Sequence, residues 1–307
     1  MTATVTEQRV RGEIIATVSA ADWKTTCLNC GSALGGSYCA ECGQRAAPPH
    51  PTLRELGGEA LAELSGWDGK VAETVRALIT KPGKLTAEFL AGRRSRFVSP
   101  LRLYLTCSVI YFLIATSVPT DMQSSVTVNE SLGGSKTVRT LVDAGTTPGL
   151  SDADRREISR VVDKAPRLIR PMVRRVSTDA KGFQSDIFAS LPKALFALLP
   201  VFAGIVALFY RGRHYAEHLY FAFHLHAFVF VALSFSAIAK LTHSVPIRVS
   251  AGILVLLWLP IYAHLAFRRV YGESNGRTLA KEVGIGALYV AASVPAIFAL
   301  ALWVAAH

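Results

Sequence analysis

The chain changes character about a third of the way along its length. Before residue 100, apolar residues alternate with charged ones at helical spacing, whereas the later part contains long runs without Asp, Glu, Lys or Arg. A helix needs roughly 20 apolar residues to cross the hydrocarbon core of a bilayer. The pattern therefore predicts five membrane-spanning helices. The five uncharged runs are Leu103–Thr120, Ala194–Tyr210, Leu219–Ala239, Val249–Phe267 and Val283–His307.

Short amphipathic helices are predicted before the first apolar run. Thr52 followed by Glu55 has the pattern of a capping box that opens a helix. A second helix has an apolar stripe that includes Leu78 and Ile79, and it ends where Pro82 and a glycine interrupt the pattern. A third amphipathic helix follows this break. We expect these helices to lie on the membrane face or against the transmembrane bundle.

Four cysteines near the N-terminus form two Cys-x-x-Cys pairs, with eight residues between the pairs. A glycine follows each pair and permits the positive φ that lets backbone N–H groups point at the sulfurs. No apolar stretch before the pairs is long enough for a signal peptide, so we expect a reducing compartment, in which paired cysteines bind metal. The predicted metal ligands are Cys27, Cys30, Cys39 and Cys42.

The cysteine pattern predicts a small ribbon with a structural Zn²⁺, and iron is the alternative occupant of such a four-sulfur site. The residues from Asp22 to Arg45 include two basic and two acidic side chains. Such a balanced segment is no cationic platform, so we expect no nucleic-acid binding. The ribbon is expected to serve a structural role or to contact a cytoplasmic protein.

Composition fits this division of the chain. Its 307 residues are 51% hydrophobic with a net charge of +11, and the mean hydropathy is +0.34. The predicted fold is an all-α integral membrane protein with about five transmembrane helices and a small N-terminal zinc ribbon. The expected parts are a weakly ordered N-terminus (1–24), the ribbon (25–46), a linker with juxtamembrane helices (47–99) and the transmembrane domain (100–307), which includes a loop at about 121–190 and an amphipathic helix over 152–176.

The distribution of basic residues predicts the orientation. Arginines and lysines are concentrated before the first run and in the short connections between runs two and three and between runs four and five. The positive-inside rule places these segments in the cytoplasm. The N-terminus is then cytoplasmic, whereas the C-terminus and the long loop are extracytoplasmic, and the lipid bilayer is the expected partner of the apolar helices.

A group of polar residues marks the start of the third run. Three of them, His214, Glu217 and His218, match the pattern H-x-x-E-H of inverted zincins. With His224 they lie within an arc of about 120° on a helix, and His264 in the fourth run is near the same end of the membrane. Three interpretations remain open: a structural polar network between helices, a transport or ligand-binding site, and a catalytic metal site.

Several motifs together resemble a known family. They are Gly92-Arg-Arg-x-Arg-Phe-x-x-Pro100, the pair Pro82-Gly83, and Glu217-His-Leu-x-Phe followed by His224-Leu-His226. The pattern resembles an uncharacterised bacterial membrane-protein family with an N-terminal zinc ribbon, domain of unknown function 3667. This resemblance implies a bacterial inner-membrane location, and it implies no reaction.

We therefore expect a non-enzymatic integral membrane protein whose ribbon docks a partner or braces the bundle. No catalytic residue is predicted, because the chain contains no Walker-A sequence, no dinucleotide-binding glycine motif after a strand and no nucleophile elbow. The alternative is a transporter or a protein that binds a small ligand or ion through the Glu/His cluster. An intramembrane metalloenzyme is the third interpretation.

Overall fold

The structure is a computed structural model that describes residues 7–10, 13–16, 22–46, 70–117, 156, 159–160, 162–242 and 244–307. Strands β1 (Glu7–Val10) and β2 (Glu13–Ala16) come first, followed by a 3₁₀ turn at Asp22–Lys24. The helices are α1 (Lys70–Thr80), α2 (Lys84–Leu90), α3 (Pro100–Ser117), α4 (Arg170–Thr178), α5 (Ala180–Phe209), α6 (Tyr215–Lys240), α7 (Val245–Tyr271) and α8 (Asn275–Ala306).

Five of these helices, α3 and α5 to α8, are long and apolar enough to cross a membrane, which confirms the predicted fold class. Their ends differ from the uncharged runs, because a helix continues past the first charged residue when that side chain can reach water. Helix α5 begins at Ala180, ten residues before the predicted end of the long loop, and it continues through Pro192 and Pro200. Helix α8 likewise begins at Asn275, before Lys281 and Glu282.

Two further segments differ from the sequence-based expectation. Strands β1 and β2 form an antiparallel hairpin, with Glu7 paired with Ala16, inside the segment for which little order was predicted. The helix expected over 152–176 is interrupted before α4, where residues 165–169, which include Pro166, are not helical. The predicted helix that opens at Thr52 lies outside the described residues.

Contacts between residues divide the chain into two compact units. The first comprises residues 1–118 and 199–287, and the second comprises residues 119–198 and 288–307. In the second unit, the side chain of Arg175 in α4 forms an ion pair with Asp186 of α5 at 3.0 Å. The ribbon and the predicted Glu/His cluster both belong to the first unit.

Helix α6 lies at the centre of the first unit and contacts α3, α7 and α2. Its side chains are aromatic on several faces, so it can be buried on more than one side. Tyr104 of α3 packs against Phe223 and Phe230 of α6, with ring centroids 5.7 and 5.5 Å apart. On another face, Phe228 stacks on Tyr262 of α7.

The two juxtamembrane helices pack against the spans. The Tyr262 hydroxyl donates a hydrogen bond to the carbonyl of Leu78 at 2.7 Å, and Arg269 donates one to the carbonyl of Pro82 at 2.7 Å. Leu78 is buried as expected, but Ile79 is 41% exposed and the fully buried Thr74 takes its place on the inner face of α1. Thr74 is tolerated there because its hydroxyl donates to Lys70 and accepts the backbone N–H of Val98.

Candidate metal centre and associated polar network

The ribbon consists of two copies of one turn, related by a shift of 12 residues. We call the two turns knuckles; the first comprises residues 27–32 and the second residues 39–44. In the first knuckle, the N–H of Cys27 donates to Ser32 O at 2.8 Å and the N–H of Gly31 donates to Cys27 O at 2.9 Å. The same two bonds recur at the same lengths in the second knuckle, where Cys39 takes the place of Cys27. The glycines after the two pairs, Gly31 and Gly43, have φ of 79° and 70°.

The two knuckles bring four sulfur atoms together. Cys27 Sγ lies 3.5 Å from Cys42 Sγ, and Cys30 Sγ lies 3.5 Å from Cys39 Sγ. The four sulfurs all lie within 4.8 Å of one another. A tetrahedral Zn²⁺ with Zn–S bonds of about 2.3 Å requires sulfurs separated by about 3.8 Å. The donor set and its spacing therefore fit one tetrahedrally bound metal ion such as zinc.

The thiols differ in their readiness to lose a proton. Burial raises the pKa of the Cys27 thiol to about 12. Burial also opposes ionisation of Cys42, but hydrogen bonds from the Gln44 backbone and the Asn29 side chain outweigh it and lower the pKa of this thiol to about 6. A hydrogen bond with Ser32 lowers the pKa of Cys30. Metal binding must therefore overcome the effect of burial at Cys27, whereas hydrogen bonds already favour the thiolate of Cys42.

The ribbon is attached to the collar loop, residues 92–99, which joins α2 to the first span. The Gln44 side chain donates to Gly92 O at 2.8 Å, and its Oε1 accepts the N–H groups of Arg94 and Ser95 at 3.0 and 3.1 Å. Leu28 of the first knuckle lies so close to Gly92 that a Cβ at position 92 would be 2.5 Å from Leu28 Cδ1. Each knuckle thus contributes one contact to the same loop.

The arginines of the collar loop are bonded within the protein. Arg93 forms a two-point ion pair with Glu88 of α2, in which Nη2 lies 3.0 Å from Oε1. Arg96 forms a more exposed pair with Glu73 of α1, with Nη2 2.6 Å from Oε1. The bidentate geometry with Arg93 holds the pKa of Glu88 below its ordinary value, against the effect of partial burial. The loop is therefore fixed to the ribbon on one side and to α1 and α2 on the other.

Each predicted polar residue at the start of α6 has a different local role. Glu217 accepts a hydrogen bond from the backbone N–H of His214 at 3.3 Å and forms an ion pair with Arg213 at 3.1 Å. His218 is fully buried, and its Nδ1 lies 2.8 Å from the Tyr271 hydroxyl at the end of α7. Its Nε2 has no hydrogen-bond partner within the described part of the chain.

The two deeper histidines each join a pair of helices. His224 of α6 is 5% exposed, and its Nδ1 lies 3.0 Å from the hydroxyl of Thr86 in α2. His264 of α7 lies against α8, with Nδ1 2.9 Å from Glu282 Oε2, and not with the histidines of α6. Among the described residues, the four cysteines form the one group of three or more His, Cys, Asp or Glu ligands that could hold a metal.

Sequence reasoning missed the residues that connect these groups. Gln44 follows the second Cys-x-x-Cys pair and its glycine, and it belongs to no sequence motif of its own. Thr86 did carry a signal, because it is a polar residue on the buried face of α2 between Leu85 and Phe89. Tyr271 is the last residue of α7 and Glu282 lies about two turns inside α8, and nothing in the sequence pairs them with His218 and His264.

In a comparison with known proteins, one segment of the chain matches a family model. The model of the family described as protein of unknown function (DUF3667) matches residues 68–112. This is the family that the motifs indicated, and the match covers α1, α2, the collar loop and most of α3. No curated protein and no solved structure matches the chain. The matched segment is therefore the part of the protein to which both the ribbon and α6 are attached.

Replacing one ligand should remove the metal. We predict that Cys30→Ser abolishes most metal binding, because three sulfurs no longer close a tetrahedral site, whereas the wild type carries about one metal ion per chain. Metal analysis of protein purified in detergent measures this. The matched control is Cys107→Ser, since Cys107 is buried in α3 away from the four ligands. Equal metal content in wild type and Cys30→Ser would contradict the four-sulfur site.

Removing the Thr86 hydroxyl should destabilise the packing of α2 on α6. Thr86→Val keeps the shape of the side chain but leaves the buried His224 Nδ1 without its partner, which should cost about 1–2 kcal/mol. Thermal unfolding in one detergent compares it with Thr80→Val, whose hydroxyl bonds only to its own helix at Arg76 O and is exposed. Equal losses for the two variants would show that the buried contact contributes nothing.

Proposed function

We propose that this protein is a non-enzymatic integral membrane protein in which a structural Zn²⁺ ribbon braces the juxtamembrane helices against the first span. The observation that carries the proposal is the set of three hydrogen bonds between the Gln44 side chain and the backbone of the collar loop. A ribbon built only to dock a separate partner would not need its own side chains to satisfy the backbone of the membrane domain. Here, both polar ends of one carboxamide are used in this way.

Zinc is the proposed metal because four cysteine sulfurs in two tight turns suit a tetrahedral ion without redox chemistry. Glycine at positive φ after each pair and the close sulfur spacing support a closed site, in which no position is left for a substrate. The lipid bilayer is the proposed partner of the apolar helices. Contact with a cytoplasmic protein stays a prediction for the exposed part of the ribbon, where Tyr38 is 64% exposed.

We further propose a bacterial inner-membrane location with the ribbon in the cytoplasm and the C-terminus outside. The arginines that precede α3, those of the 210–214 connection and those at the end of α7 support this orientation. Reduced cysteines in a metal site also favour the cytoplasm. The bacterial location is inferred from the family that matches residues 68–112.

The brace predicts a local effect of Gln44→Ala. Without the carboxamide, the N–H of Ser95 loses its acceptor and the N–H of Arg94 keeps only Gly92 O at 3.1 Å. Hydrogen exchange should therefore accelerate at both amides, by at least tenfold at Ser95, while the metal content measured at saturating Zn²⁺ stays at one per chain. Exchange followed by mass spectrometry in detergent measures the effect. The control is Glu41→Ala, an exposed residue of the same knuckle. Unchanged exchange at positions 94 and 95 would refute the brace.

The orientation predicts where an attached reporter is active. An alkaline phosphatase domain, which needs an extracytoplasmic location, should be active when fused after His307 and inactive when fused before the ribbon. A fluorescent protein that folds only in the cytoplasm should give the opposite pattern. The reversed result at both termini would overturn the proposed topology and leave the fold unaffected.

A further inference from the structure

The collar loop receives one contact from each knuckle of the ribbon. Leu28 stands between the first two ligands and covers Gly92. Gln44 stands two residues after the last ligand, and its backbone carbonyl accepts the N–H of Cys39. Both contact residues are therefore held in place by the same turns that hold the sulfurs. Neither residue is itself a metal ligand.

The two knuckles face each other at their sulfurs. The contacts between them include Cys27 with Cys42 and Cys30 with Cys39, each at 3.5 Å, and a hydrogen bond of the Asn29 side chain with Cys42. A ribbon of about twenty residues has almost no apolar core, so its folding free energy comes largely from the metal. Without the metal, Leu28 and Gln44 lose the connection that places them on the collar loop at the same time.

We propose that metal occupancy controls the collar loop: the loaded ribbon holds residues 92–95 through Leu28 and Gln44, and the empty ribbon releases them. This inference rests on the brace proposed above and adds a regulated state to it. The ribbon then reports the metal supply to the membrane domain. The signal is the order of the collar loop.

Release of the loop has a defined path into the spans. Arg93, next to Gly92, is bonded to Glu88 in α2. Two residues earlier in the same helix, Thr86 is hydrogen-bonded to His224 of α6. Phe89, the residue after Glu88, packs edge-on against Tyr220, with ring centroids 4.7 Å apart. A change in the collar loop therefore acts on a short helix that contacts the central span directly.

Because of thermodynamic linkage, the proposal can be tested through the metal affinity as well as through the order of the collar loop. If metal binding favours docking on the collar loop, then docking must raise the affinity for metal by the same factor. Residues that are not ligands should therefore change the metal affinity. We expect Gln44→Ala and Leu28→Ala each to weaken Zn²⁺ binding by about tenfold, which lies within the usual range for coupled sites. Glu41→Ala should leave the affinity unchanged.

The experiment uses the full chain in detergent. Zn²⁺ affinity is measured by competition with a chromogenic chelator, and hydrogen exchange at positions 94 and 95 is measured with and without excess chelator. Two results support the proposal: chelation accelerates exchange at both amides in the wild type, and both variants bind Zn²⁺ more weakly. Two variants from different knuckles are used, so that a folding defect in one of them does not decide the outcome.

The outcomes separate this inference from the brace itself. If Gln44→Ala accelerates exchange at positions 94 and 95, but chelation does not and the affinities are all equal, then the ribbon docks independently of its metal. The brace would stand and metal control would be overturned. If Gln44→Ala leaves exchange at both amides unchanged, the brace fails and metal control fails with it.

Discussion

The carboxamide of Gln44 is the interaction on which the attachment of the ribbon depends, because it joins the second metal knuckle to the backbone of the collar loop. Its two ends satisfy three backbone groups of the collar loop. Of these groups, the Ser95 N–H depends on Gln44 for its acceptor, whereas the Arg94 N–H also donates to Gly92 O at 3.1 Å. A carboxamide suits this position because it donates and accepts at once and carries no charge to desolvate.

Arginines near the membrane have two roles in this protein: they are topology signals, and they form ion pairs and hydrogen bonds that hold the folded structure. Basic residues beside a span set its orientation during insertion. In the folded protein, Arg93 is held by Glu88 and Arg96 by Glu73. Arg213 is used similarly, since it caps α7 at the Val270 carbonyl while it pairs with Glu217. A charge that directs topology during insertion can therefore hold a helix end afterwards, and the two roles do not compete.

How much of the structure the sequence could predict depends on how far apart along the chain the interacting residues lie. The knuckles were predictable because a four-residue turn contains all the geometry that places two sulfurs. The spans were predictable because the bilayer requires apolar length, but Ala180 as the start of α5 was not, since a charge-free run marks only the part in hydrocarbon. The partners of Gln44 and Thr86 lie 48 to 51 and 138 residues away, and no local pattern predicts such pairs.

The histidines of α6 show why burial alone does not assign a function to a polar residue in a span. An ionisable group within a membrane is costly and is a functional candidate by default. His224 meets that criterion, yet its Nδ1 is bonded to Thr86 in a contact that fixes α2 on α6. His218 differs, because Tyr271 satisfies one ring nitrogen and the buried Nε2 lacks a partner within the described residues. A buried polar atom without a partner is an exception among buried groups, most of which are hydrogen-bonded. The two buried histidines of α6 therefore differ in hydrogen bonding, because His224 is used in helix packing through Thr86 whereas one ring nitrogen of His218 is unused among the described residues.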